Sequence, residues 1–442
     1  MRNSRHTMTA ALAAVLIVAG ESAHPLADGW KIQLQGAKAL ASSYAGRSVL
    51  TDDATAVWFN PAAMTELTGR TTLTAGAPLI TYQLLFRDSG SHSVLGQPAV
   101  QGASTQDGGT TAVVPSMYVV RRINDRVRFG FGFNAPYGLG TDYGESWSGR
   151  YHATETTLRV FNLNPSVATR LGDHVSVAFG FDLQHSTAIL ANMIDFGSFG
   201  AAAGLPLVPQ GHDGRVKFDG RDWAVGWNAG LFLKPRSGLR VGAAFRSEIE
   251  HVLHGPADFT VPTEAAPLTG GGKVFTDTVA NVTLPMPAEL SVSASQRVAD
   301  DWTLLADVTW TRWSSFRALS VHFDNPLQPP VQQGANWDDV ARVAAGVRTR
   351  ISRRWELITG VAQEFVPVPD ATRNARLPEA DHTWLSGGAS YASDGRWTLD
   401  VHVSHLITPD APIRLTDPAA GQMLGTVHWR LTVAGVSATW RF

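Results

Sequence analysis

The sequence predicts an all-β membrane protein: a 14-stranded antiparallel transmembrane β-barrel closed around a small N-terminal helical hatch. Three observations carry this. From about residue 70 onward, hydrophobicity alternates with a period of two. Between the alternating stretches, short turns and long loops follow each other strictly. The stretch over 28–69, ahead of the first strand, shows no such alternation.

Composition agrees. Hydrophobic residues make up 44% of the 442-residue chain, and 42 Gly and 14 Trp suit tight backbone approaches and interfacial girdles. A mean hydropathy of -0.05 excludes a helical membrane bundle. The net charge of -2 points to no nucleic-acid partner. Without Cys there is no disulfide, zinc-thiolate site or lipid-anchoring thiol. On composition alone, a secreted soluble β-protein is the alternative.

Arg2 and Arg5 precede the apolar run Met8–Gly20, and small residues follow at Ala23 and Ala27. This reads as a secretory signal peptide over 1–27, cleaved after Ala27. The run is too short for a helix that spans a bilayer, which needs ~20 residues.

Residues 28–69 form the hatch. Ala37 to Ala41 tolerates helix, and Tyr44-Ala45-Gly46 breaks it. Asp52 or Asp53 can cap a short helix over 54–58. Asn60 before Pro61 ends that helix, and Pro61 can start the next turn, from Ala62 to Leu67. Short helices of this length cannot bury a core alone, so they must pack inside something larger.

Residues 70–442 form the barrel, with strands near 71–84, 111–121, 127–137, 156–170, 174–188, 217–233, 239–251, 286–298, 302–314, 339–351, 355–366, 382–392, 396–407 and 427–442. Short turns fall at Asn124-Asp125, Gly172-Asp173, 235–238, Asp300-Asp301, Ser352-Arg353 and 393–395. Long loops such as 87–109, 192–215, 255–285 and 325–336 alternate with them. That rhythm belongs to outer-membrane barrels, with short periplasmic turns and both chain ends periplasmic. Trp302 and Trp310 share one face, ~26 Å apart along the strand, which after tilt matches the spacing of two aromatic girdles. The last strand alternates to its end at Trp440 and Phe442, which looks like the signal read by the barrel-insertion machinery.

Several motifs together carry a family resemblance. They are Tyr44-Ala45-Gly46, Asp52-Asp53-Ala54, Asn60-Pro61-Ala62, Pro136-Tyr137-Gly138-Leu139, Trp227-Asn228-Ala229-Gly230, Phe245-Arg246-Ser247-Glu248, Leu284-Pro285 and Trp310-Thr311-Arg312-Trp313-Ser314. In this order they resemble the FadL/TodX family of outer-membrane transporters of long-chain fatty acids and hydrocarbons. The resemblance implies passive uptake of a small hydrophobic ligand, from outer loops to a greasy pocket over the hatch. It also implies a sideways exit into outer-membrane lipid through a gap made by a kink in the third strand.

On this reading Pro136, Tyr137 and Gly138 form the kink, and Asp52, Asp53, Asn60, Pro61 and Ala62 form the hatch gate, with Asn60-Pro61-Ala62 facing the kink. Trp58 and Phe59 are the candidates for ligand contact. Independently, Phe129, Phe131 and Phe133 alternate with Gly130 and Gly132 until Pro136 and Gly138 interrupt, and Pro cannot donate to a ladder. One departure stands out. The stretches 186–190 and 331–335, where the family's basic head-group contacts would fall, carry no Lys or Arg. That leaves room for an uncharged hydrocarbon or aromatic ligand.

No enzymatic or cofactor motif emerges, and no energy-coupling segment. His251 with His254, and His402 with His405, have odd offsets that place partners on opposite faces of a strand, so no metal site is expected. The expected protein is a monomer in the Gram-negative outer membrane. A structural or adhesive barrel, or a general porin, is the alternative.

Overall fold

The computed structural model describes residues 29–94, 101–393 and 395–442. The signal peptide expected over 1–27 lies outside them.

Fourteen strands close a single barrel. They are β1 (71–88), β2 (105–122), β3 (Val127–Asp142), β4 (Glu155–Arg170), β5 (Val175–Asp195), β6 (Asp213–Arg236), β7 (239–260), β8 (278–299), β9 (302–323), β10 (331–350), β11 (Trp355–Glu364), β12 (His382–Ser393), β13 (397–417) and β14 (Gly421–Arg441). Each pairs antiparallel with the next. β14 returns to β1 in the register Leu73↔Trp440, which removes both sheet edges. No described helix is long and apolar enough to cross a membrane.

The alternation has one cause, a lipid face and a lumen face on every strand. In β13 the outward residues are Trp397, Leu399, Val401 and Val403, and the inward ones are Thr398, Asp400, His402 and Ser404. Trp302 and Trp310 point outward and are exposed, so they are not the buried pair of a soluble sandwich. In water so many exposed large apolar side chains would aggregate, whereas a bilayer requires them.

Several strands run further than expected at their long-loop ends. β7 and β8 reach 260 and 278 rather than 251 and 286, and β13 and β14 continue into a hairpin that closes at 418–420. Past the bilayer the pattern inverts. Ala411, Ile413 and Leu415 turn inward and Pro412, Arg414 and Thr416 outward. A lipid-facing template therefore stops too early.

Residues 29–69 lie inside the lumen and are almost all buried. They form α1 (Ala37–Ala41), a 3-10 turn (Arg47–Val49), α2 (Ala56–Phe59) and a second 3-10 turn (Pro61–Glu66). Val57, Ala62, Ala63 and Met64 pack with Tyr118, Val120, Ala168 and Phe232 of the wall.

Candidate functional site

The hatch is tied to the wall around the lumen by charge. Arg47 pairs with Glu289 at 2.6 Å and donates to Thr309 at 2.7 Å. Lys31 also reaches Glu289. Lys38 lies 3.7 Å from both Asp52 and Asp400. Glu66 takes Arg170 at 2.9 Å and Lys234 at 3.0 Å.

Asp52 and Asp53 have separate tasks. Asp53 Oδ1 accepts from the Thr55 N–H at 2.8 Å and so orders the turn into α2. Asp52 pairs with Arg348, itself held by Glu356 at 2.7 Å. Burial opposes ionisation of Asp52, but Arg348 and Lys38 hold its carboxyl well below the usual carboxylate range.

Asn60-Pro61-Ala62 folds as its residue types require. Asn60 is extended (φ -162) before Pro61, and its Oδ1 accepts from the Ala62 N–H at 3.1 Å. It does not face the kink. Its Nδ2 donates to Ser48 O at 2.8 Å and to Leu231 O of β6 at 2.9 Å, which turns the motif to the β6–β7 wall. Gly230 and Gly242 make room for it there. The expected meeting of 60–62 with 136–138 is thus corrected: the Asn60 amide is spent on β6.

The kink is met by an earlier segment of the hatch. Ile32 N–H donates to Pro136 O at 2.8 Å, and Gly138 N–H donates to Trp30 O at 2.9 Å. Lys31 bridges Tyr137 antiparallel, and Gln35 Nε2 donates to Ala135 O at 3.0 Å. On the β4 side the register slips between Asn134 and Tyr137, a bulge at Ala135-Pro136. On the β2 side the ladder runs from Arg122↔Arg128 to Met117↔Phe133 and stops. The next described backbone bond across this seam is Asp142 N–H to Gly108 O, at 3.1 Å. Over this interval the 111–113 segment of β2 pairs with β1.

A cavity of 650 Å³ fills this seam and continues into the lumen. Inward residues such as Tyr137, Leu158 and Leu431 line it, together with Ile32 and Leu34 of the hatch. Outward residues line it as well, among them Val113, 59% exposed, and Phe161, 40% exposed. The cavity is therefore lined from both faces of the wall.

A second cavity of 70 Å³ adjoins it, sharing Leu139, Thr157, Leu158 and Leu377. Trp30 packs here at 4.7–5.0 Å from Trp313, Phe316 and Trp337. Ala188 and Leu190 of the stretch 186–190, and Gln333 to Ala335 of 331–335, meet in this cavity.

Trp58 and Phe59 line neither cavity. The Arg246 guanidinium covers the Trp58 ring at 3.6 Å, and Phe59 packs on Tyr44 at 5.8 Å, so both side chains are occupied within the fold. His251 and His402 turn inward while His254 and His405 turn outward, as their spacing required. Phe442 bonds Thr71 in both directions, at 2.9 and 3.1 Å, and closes the barrel. Sequence reasoning missed the Trp30–Leu34 segment and the 365–381 loop, which brings Leu377 and Arg376 to the cavities.

Residues 18–442 match the family described as outer membrane protein transport protein (OMPP1/FadL/TodX). The long-chain fatty acid transport protein of Escherichia coli O6:H1 is 28% identical over 420 residues, covering 91% of this chain and 92% of that one. Among solved structures, a Pseudomonas aeruginosa FadL homologue superposes with a TM-score of 0.86 at 22% identity, covering 94% of this chain and all of the other. The Pseudomonas putida toluene transporter TodX superposes with a TM-score of 0.71 at 17% identity, covering 94% of this chain and 99% of that one.

Proposed function

Because this chain belongs to the outer membrane protein transport family that includes FadL and TodX, we propose that it carries long-chain fatty acids or aromatic hydrocarbons across the outer membrane, passively and with lateral exit. The observation that carries this reading is the 650 Å³ cavity lined by both inward and outward faces of the wall. An apolar molecule in it reaches lipid without crossing a polar periplasmic opening. The saccharide layer of the outer leaflet blocks such molecules, which is why they need a protein route.

The parts have distinct tasks in this proposal. Pro136, Tyr137 and Gly138 hold the seam open, because β3 spends the Pro136 carbonyl on Ile32 and the Gly138 N–H on Trp30. The ion pairs around the lumen keep the rest of the hatch seated, so the lumen passes few ions. A general porin has no use for such a plug. Trp440 and Phe442 serve the insertion machinery during assembly, and one chain suffices as the unit.

The test is uptake in a strain lacking the gene, complemented by the wild-type chain. Complementation should restore entry of a labelled fatty acid or of toluene. Unchanged entry of both on deletion sinks the proposal.

A further inference from the structure

On three neighbouring strands the outward face changes character at one ladder position. In β6 it is apolar from Leu233 to Trp223, then turns to Arg221, Asp219, Lys217 and Arg215. At ~3.3 Å per residue the apolar part covers ~33 Å of strand, which at the usual tilt is ~25 Å of height and matches the apolar band of an outer-membrane barrel. In β4 the change falls between Phe161 and Arg159, and in β5 it follows Leu183, at His185 and Thr187. The ladder sets Phe161, His185 and Trp223 in one row and Arg159, Thr187 and Arg221 in the next. These strand ends lead into long loops, so the second row stands at the head-group level of the outer leaflet.

Further from the bilayer the charges satisfy one another. Lys217 reaches Glu155 at 3.2 Å, and Arg215 reaches Glu145 at 3.3 Å. Arg159 and Arg221 are exposed and, among the described residues, take part in no ion pair or side-chain hydrogen bond. Asp219, on the same outward face one pleat above Arg221, pairs with neither. Adjacent strands stand ~4.8 Å apart, so the two arginines flank Thr187 at ~10 Å from each other. Two long guanidinium side chains with a hydroxyl between them can close on a single phosphate, and a guanidinium fork takes its oxygens in parallel bonds. In the row below, the His185 ring stacks on Trp223 at 4.6 Å, an aromatic shelf at the edge of the apolar band.

We propose that Arg159, Thr187 and Arg221 hold a phosphate on the saccharide head of an outer-leaflet glycolipid. Charge complementarity selects the occupant, since cations at a membrane surface attract anionic head groups. The height of the row assigns it to the leaflet whose heads are phosphorylated saccharides. The site is on the lipid side of the wall: Arg159 also borders the seam cavity, but Thr187 and Arg221 do not. Arg159 stands opposite Gly138 in the β3–β4 ladder, so the bound head lies at the rim of the seam. The inference is independent of what the cavity carries.

The test is equilibrium binding of three lipids to the purified protein in detergent: bisphosphorylated lipid A, the same lipid A stripped of its phosphates, and phosphatidylglycerol. The wild type should bind the phosphorylated glycolipid at least about tenfold more tightly than either of the others, as hydrogen bonds between charged partners allow. Arg159→Gln combined with Arg221→Gln should abolish that preference, and Arg221→Gln alone should cut it several-fold. Arg414→Gln, at an exposed arginine of the β13–β14 hairpin, should leave it intact. Equal wild-type affinity for phosphorylated and stripped lipid A overturns the inference, as does a double variant that keeps the preference or an Arg414→Gln variant that loses as much of it. Phosphatidylglycerol bound as tightly as lipid A overturns it too. If the double variant fails the heat-modifiable mobility test for a folded barrel, Arg221→Gln alone decides.

Discussion

Gly230→Ala tests how the hatch is held. A Cβ on Gly230 overlaps Asn60 Oδ1 and lies 3.0 Å from Ala62 N and 3.2 Å from Pro61 Cδ. Backbone nitrogen and a proline ring cannot swing aside, so the hatch must lift from β6. Lifting breaks the bonds from Asn60 Nδ2 to Ser48 O and Leu231 O. At ~1–3 kcal/mol for each buried group left unsatisfied, the seated hatch loses roughly 2–6 kcal/mol. Even the lower figure raises the displaced population roughly thirtyfold. The assay is ion conductance in planar bilayers. The wild type should be nearly silent, and Gly230→Ala should show bursts of opening while retaining folded, heat-modifiable mobility. Gly172→Ala is the control, since no atom lies within 4 Å of a Cβ there. A folded Gly230→Ala barrel as quiet as the wild type would refute the reasoning.

Three further outcomes follow from the same geometry. Gly138→Val places its side chain against the tip of Ile32 and 3.3 Å from Leu158 O, so it should narrow the seam and slow uptake several-fold in a normally folded barrel; full-rate uptake would count against lateral exit. Val401→Arg puts a charge on the outward face of β13 and should lower unfolding stability in lipid vesicles by roughly 2–4 kcal/mol, which an unaltered denaturant midpoint would contradict. The depressed Asp52 carboxyl contributes its full stabilisation above the ordinary value near ~3.9, and that contribution is lost only as pH falls through the lower folded value. Wild-type closure should therefore be the same at pH 8 and pH 5, while Asp52→Asn should leak at both; wild-type leakage that begins between pH 7 and pH 5 would argue against the assignment.

Much of the barrel is legible because the bilayer makes one demand on every strand. Trp302, Trp310 and the outward residues of β13 announce their face, since each second residue must tolerate lipid. The demand lapses beyond the bilayer, which is why β8 begins at 278 rather than 286. The hatch is legible locally: Asn60 before Pro61 is extended, and its side chain caps the next turn. Its facing is not. The acceptor that orients Asn60 comes from β6, 171 residues later, through a register that local sequence does not encode.

The cavities were hidden for a related reason. A period of two distinguishes lumen from lipid but is silent about loops, and both cavities are built partly from a loop. One signal in 365–381 was available. A loop that only faces water has no need of Val366, Val368 and Leu377, and all three are buried. They pack with Trp30, Trp313 and Trp337 over the lumen. Thr372 Oγ1 donates to Ala335 O at 2.8 Å, and Tyr143 OH donates to Ala375 O at 3.1 Å, which pins the loop on two sides. Apolar residues thus draw the loop inward, and the inward loop carries Arg376 to a site whose strands supply no charge.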